Sequence, residues 1–143
     1  MPKFYQGTYY PKNPEKYLGK KLPYFRSSWE RRVCEFFDTT NHILGWASES
    51  HRIPYLHPFT GNKTTYVPDF FVVYQDKYGN KHTELIEVKP NSQILGNAKR
   101  KSDKNAAIIN EAKWMMAEKW CNHHGLTFRV ITENDIFRKP TRK

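Results

Sequence analysis

Long apolar runs are missing from this 143-residue sequence: none approaches the roughly 20 residues a helix needs to cross a bilayer, which excludes a membrane-spanning helix. Cysteine is nearly absent as well. Cys34 and Cys121 are the only two, too few for a disulfide framework, and in a reducing compartment they are expected to be buried small hydrophobes. The first residues, Met1-Pro2-Lys3-Phe4-Tyr5-Gln6, contain no apolar stretch of the kind a signal peptide carries, so the expectation is a chain kept in the cytosol and not secreted. Acidic residues are scarce: 14 Asp and Glu stand against 24 Lys and Arg, a formal charge of +10 with an isoelectric point near 9.6. Such an excess concentrates polyanions around the protein, so nucleic acid is the partner that charge favours, with a generically basic protein as the reading that charge alone leaves open. Neither an internal repeat nor a low-complexity tract is present.

What remains is enough for one folded domain. At 38% hydrophobic and 15% aromatic residues, the chain is far from a disordered composition and can bury a core without disulfide staples. Residues 1–24, rich in Pro, Lys, Tyr and Gly, show no periodicity and read as an arm packed on a domain spanning 25–137. Residues 138–143 (Arg-Lys-Pro-Thr-Arg-Lys) read as a frayed basic tail. Ser27 or Ser28 opens a helix whose apolar stripe is Trp29, Val33, Phe36 and Phe37. β-type runs follow at 43–46, 51–55, 64–74 and 81–89, the last two joined by the polar turn 75–80. After a basic segment from 91 to 102, the spacing predicts a helix over 103–122 with Ala106, Ile109, Ala112, Met116 and Trp120 on its apolar face. Gly125 stops it, and a final strand covers 126–131.

The chemistry concentrates in two of those strands. Glu87 and Lys89, two apart, project from one face while Val88 points to the other. If the turn between the strands is centred near Tyr78, cross-strand partners sum to about 156, which puts Asp69 opposite Glu87; a slip of one residue would separate them onto opposite faces. Like charges directly opposed in apolar strands are destabilising and need compensation. Lys89 supplies one positive charge, and a divalent cation satisfies both carboxylates better. Hard oxygen donors suit Mg2+, which commonly takes one or two carboxylates and completes its shell with water and phosphate oxygen. Such a metal activates water against a phosphodiester, with Lys89 stabilising the developing charge.

Pro68-Asp69 at the start of an apolar strand, with Glu87-Val88-Lys89 on the next, resembles the PD-(D/E)xK nuclease motif. Further segments extend the likeness: Pro11 to Tyr17, Phe25-Arg26-Ser27-Ser28-Trp29-Glu30, Trp46 to Ser50, Ile53-Pro54-Tyr55, Asp69 to Tyr74 and Glu87 to Pro90. Together these are similar to the head completion nucleases of tailed phages, and the Ser-x-x-Glu, Asp and Glu-x-Lys elements are also similar to the transposon-end nuclease subunit of the same superfamily. The resemblance implies an α/β, restriction-endonuclease-like αβββαβ core, a mixed sheet flanked by helices. It implies that Asp69 and Glu87 bind the metal with the Val88 carbonyl as a further ligand, that Lys89 is catalytic, and that Glu30 completes the metal site. It further implies Mg2+ as cofactor with Mn2+ able to substitute, double-stranded DNA ends as substrate, phage head or portal proteins as partners, and the host cytoplasm during assembly, or the virion, as location. Two alternatives stand beside this reading: a non-catalytic protein on the same fold that binds the DNA end or portal, and a junction-resolving nuclease.

Other residues have two readings each. Glu30 also fits a capping box, in which it would accept the Ser27 backbone N–H. Arg26 is either a phosphate contact or a solvated charge. Lys99, Arg100, Lys101 and Lys104 cluster ahead of the second long helix as a candidate DNA-backbone contact, against the alternative of a solvated face. Cys121, His123 and His124 lack metal-ligand spacing and read as a helix end. Glu49 is either an acid supporting the metal site from behind its ligands or a turn residue, the turn being favoured.

Overall fold

The computed structural model describes residues 6–94 and 96–136; the basic tail read at 138–143 lies outside them. The chain runs through β1 (Gly7–Thr8), a 3-10 turn at Pro14–Lys16, β2 (Tyr24–Phe25), α1 (Ser28–Thr39), β3 (Ile43–Ser48), β4 (Ile53–Leu56), β5 (Lys63–Tyr66), β6 (Phe70–Gln75) and β7 (Lys81–Val88). A second 3-10 turn (Asn91–Gln93) leads to α2 (Lys101–His124), β8 (Thr127–Ile131) and α3 (Glu133–Ile136). Four strands form one mixed sheet in the order β3-β6-β7-β8, antiparallel except for the parallel β7–β8 pair. That parallel pairing requires a long crossover, which α2 provides. Of the two further strand pairs, β4–β5 is a separate hairpin inserted between β3 and β6.

The sheet carries a core on each face, as the alternation of its strands demands. On one side Phe70 and Val72 of β6 and Ile86 and Val88 of β7 pack with Val33, Cys34 and Phe37 of α1, and with Trp46 and Tyr9. On the other, Leu85 packs with Ile53, Tyr55 and Tyr66 of the hairpin and with Ala117 and Cys121 of α2. Both cysteines are free and buried. The arm is tied into the first core: β1 pairs with β2, Tyr17 bridges Trp46, and the Leu18 N–H donates to the Trp46 carbonyl at 2.8 Å. It thereby covers the edge strand β3, whose backbone groups would otherwise offer a pairing template.

Three local expectations are revised. The run 64–74 is two strands, because Pro68 has no N–H for a ladder and the chain changes partners around it: Tyr66 pairs with Ile53, whereas Phe70 pairs with Ser48 and Ile86. In α1 the buried face is Val33, Cys34, Phe37 and Asp38, while Phe36 is exposed. In α2 the buried positions are Ala107, Asn110, Ala117 and Cys121, and Met116 is exposed. Both helices bury a polar residue that apolar counting passes over. Asn110 donates to the Gln93 carbonyl at 3.2 Å, and Asp38 accepts from the arm. Gly125 caps α2 in the left-handed conformation at φ 74°, where a side chain is strained.

Candidate active site

The β6–β7 register fixes the centre of the site. Phe70 faces Ile86 and Phe71 faces Leu85, so each pair sums to 156; one step further along, just before β6 begins, stands Asp69 beside Glu87. The Val88 N–H donates to Asp69 Oδ2 at 2.7 Å, which locks the Asp69 side chain onto the end of β7. Glu87 is buried, 5% exposed, on the α2 side of the sheet with Leu85. Its Oε1 accepts the Tyr66 hydroxyl at 2.7 Å and its Oε2 lies 3.3 Å from Lys89 Nζ. Leaving the β4–β5 hairpin after Tyr66 and entering the four-stranded sheet at Phe70 is what brings both Tyr66 and Asp69 to Glu87.

The electrostatics are those of crowded acids. Burial holds the Asp69 carboxyl well above the usual range, and the Glu87 and Glu30 charges add to this; the Val88 N–H and Lys89 oppose it without prevailing. Glu30 is raised too, again by burial first, with Glu87 and Glu49 contributing and a backbone hydrogen bond opposing. Tyr66 is raised by burial and by the carboxylate it bonds. Such perturbed groups gathered at one place are typical of functional sites.

Glu30 enters from the first turn of α1. The Ser27 hydroxyl caps that turn by accepting the Glu30 N–H at 3.2 Å, but Glu30 Oε1 accepts from the Arg26 N–H, also at 3.2 Å, one residue earlier than a capping box places it. Glu30 thus closes the helix start while standing within Coulombic reach of Asp69. The Arg26 side chain is neither isolated nor simply solvated: its guanidinium pairs with Glu49 at 3.4 Å and lies over the Tyr24 ring. Glu49 has φ 50°, a left-handed conformation that strains a residue with a side chain, and its N–H donates to the Asp69 carbonyl at 3.0 Å. Strained backbone is therefore attached directly to Asp69.

Lys99, Arg100, Lys101 and Lys104 are all exposed where α2 begins, with Arg100 at its N-cap. None of them enters the Asp69–Glu87 cluster. Sequence reasoning missed two neighbours of that cluster, Tyr66 and Lys113. Tyr66 was hidden in a run read as one continuous strand, and Lys113 is a lone lysine on a helix face whose apolar stripe drew the attention. At the far end of α2, His124 stacks on Trp120 at 4.0 Å. Among the described residues no three His, Cys, Asp or Glu side chains are arranged to hold a metal ion as they stand. Two cavities, of about 520 and 420 Å3, lie under the arm and between α1 and β8, and neither is lined by Asp69, Glu87 or Lys89. No helix of the described residues is long and apolar enough to cross a membrane.

Residues 40–133 match the family model described as TnsA-like endonuclease N terminal. The chain is 32% identical over 145 residues to the head completion nuclease of Enterobacteria phage T4, a match covering 92% of this chain and 93% of the relative. The family implies a restriction-endonuclease-like fold, which the four-stranded mixed sheet between α1 and α2 accommodates. The chain belongs to the TnsA-like endonuclease family, a PD-(D/E)xK family, and is a homologue of the phage T4 head completion nuclease.

Proposed function

We propose that this chain is a Mg2+-dependent DNA endonuclease that processes double-stranded DNA ends in the host cytoplasm as a phage head is completed before tail joining. The observation that carries the reading is the juxtaposition of Asp69 and Glu87, two carboxylates at the end of adjacent strands, with Lys89 on the second. Burying like charges side by side costs stability, and catalysis is a reason to accept that cost. Head completion enters from the T4 relative and from the length over which it aligns.

The donor set suits the cofactor. Asp69, Glu87 and Glu30 offer hard oxygen atoms, with the Val88 carbonyl a further candidate, and Mg2+ needs only one or two carboxylates. When bound, such a cation polarises the phosphodiester and lowers the pKa of an attacking water. The protein's own groups do the rest. Tyr66 fixes the orientation of Glu87 through its 2.7 Å hydrogen bond, and the Val88 N–H does the same for Asp69. Lys89, held by Glu87, is positioned to meet negative charge developing on the phosphate. Arg26, Lys99, Arg100, Lys101 and Lys104 then serve as contacts to the DNA backbone, outside the chemistry.

Incubation of the purified protein with linear and circular DNA, with Mg2+ or with chelator, tests the reading. Cleavage is expected with Mg2+ and not with chelator. Asp69→Asn and Glu87→Gln should abolish it while DNA binding is largely kept. Lys89→Met should retain Mg2+ binding but lose turnover by about 10²–10³-fold, the range for removal of one stabilising donor. Normal cutting by Asp69→Asn would remove that residue from the site, and normal cutting by Lys89→Met would reduce Lys89 to a structural ion pair.

A further inference from the structure

One cation beside the acids has no anion of its own. Lys113, half-buried on α2, holds its ammonium over the ring of Tyr66 at 5.6 Å from the centroid and over that of Tyr55 at 5.9 Å. Tyr66 is the residue whose hydroxyl bonds Glu87, so Lys113 stands one aromatic ring away from the acid pair. Lys89 differs: it is committed to Glu87 at 3.3 Å. Among the described residues Lys113 has no carboxylate within ion-pair distance and no hydrogen-bond partner for its ammonium.

An ammonium drawn partly out of water is poorly compensated by aromatic faces alone. The position carries a further cost, because Lys89 is close enough to repel it. Burial lowers the Lys113 pKa, Lys89 lowers it further, and Glu87 and Asp69 act in the opposite direction without restoring it. A half-buried cation without an ion-pair partner, set between two tyrosines and a second lysine, is a receptor that an anion would complete. The substrate of the proposed nuclease brings one phosphate per nucleotide to this end of the sheet.

We propose that Lys113 is a phosphate contact of the nuclease site, its ammonium meeting a backbone phosphate of the bound DNA strand across the Tyr66 ring from Asp69 and Glu87. The inference rests on the nuclease reading for the identity of the anion. Tyr55 and Tyr66 hold the Lys113 side chain in place before DNA arrives, and the β4–β5 hairpin becomes one wall of the strand's path.

The test is DNA affinity across a salt series, with chelator present so that nothing is cut. Lys113→Gln should lower the slope of log affinity against log salt by about 0.9, the loss of one phosphate contact on duplex DNA. Lys113→Met, whose aliphatic stem keeps the ring contacts, should do the same, so a folding defect in either variant leaves the other to be read. Lys113→Arg should keep the slope. Lys77 supplies the control, since it also lies over a tyrosine, Tyr78 at 5.2 Å, but in the turn between β6 and β7; Lys77→Gln should leave the slope unchanged. A wild-type slope in Lys113→Gln and Lys113→Met, or an equal fall in Lys77→Gln, overturns the proposal and leaves Lys113 as aromatic packing. The two readings fail separately: absence of Mg2+-dependent cutting by the wild-type protein removes the nuclease reading, whereas the salt slope is measured without cutting.

Discussion

At the scale of single residues, the proposed site is a place where the fold works against itself. The Asp69 carboxyl is held above its ordinary value by burial and by Glu87 and Glu30. A carboxyl with a raised folded pKa favours the protonated form, so near neutral pH its ionisation subtracts from stability. Asp69→Asn should therefore raise the melting temperature of the metal-free protein, since the asparagine Oδ1 can still accept the Val88 N–H. The shift expected is about 2–4 °C for each kcal/mol relieved. Mg2+ should reverse the order, because ligand binding to the native state stabilises only a protein that binds it. Thermal unfolding of both proteins with and without Mg2+ measures this, and a variant that melts lower than wild type without metal would contradict it. Much of this neighbourhood was legible in the sequence: period-two alternation put Glu87 with Lys89, and the turn centre near Tyr78 gave the register. Tyr66 and Lys113 were not legible, because Tyr66 reaches Glu87, and Lys113 reaches the Tyr66 ring, through tertiary contacts that no local period encodes.

At the scale of elements, α2 starts with the wrong charges for a helix standing alone. Arg100 is its N-cap without a capping side chain, and Lys101 and Lys104 occupy its first turn beside a single acid, Asp103. The positive end of a helix dipole disfavours cations by typically 0.3–1 kcal/mol each, and exposed N–H groups at that end attract anions. Replacing Lys99, Arg100 and Lys101 with Gln should then produce two effects of opposite sign. Thermal stability should rise slightly, and DNA affinity should fall on all sequences with a flatter salt slope, by up to about 0.9 for each lysine or arginine that meets a phosphate. An unchanged slope with the same stability gain would show that these charges face something other than DNA. Element existence was readable from the sequence because helix and strand periods are local. What failed was the face each helix buries. Asp38 and Asn110 are buried because partners outside their own helices satisfy them, and an apolar stripe drawn from hydrophobic residues rotates away from such positions.

At the scale of the whole molecule, the arm and the domain are one structure, and Asp38 is the fastening. Its side chain accepts the Tyr9 hydroxyl at 2.6 Å, the Lys12 N–H at 2.7 Å and the Asn13 N–H at 2.9 Å; its backbone carbonyl accepts the Asn13 side chain at 2.7 Å. Those bonds seat Tyr9 and Tyr17 against Trp46, with ring centroids 6.1 and 4.8 Å away, and so close the first core. Burial alone would raise the Asp38 carboxyl, but the hydrogen bonds from Tyr9, Lys12 and Asn13 outweigh it and hold the group below its ordinary value of 3.8. A lowered folded pKa means that the carboxylate contributes its full stability above the ordinary value and loses it as pH falls below that value, through the folded one. Asp38→Asn breaks the charge-assisted bonds and leaves donors of a buried cluster poorly matched, at a cost of about 1–3 kcal/mol. Its melting temperature near pH 7 should accordingly fall by several degrees relative to wild type. The gap should stay constant from pH 7 down to about pH 5 and narrow only below the ordinary carboxylate value, as the wild-type side chain takes up its proton. A gap that already closes between pH 7 and 5, or no gap at pH 7, would mean that the arm is held by its aromatic contacts with Trp46 alone.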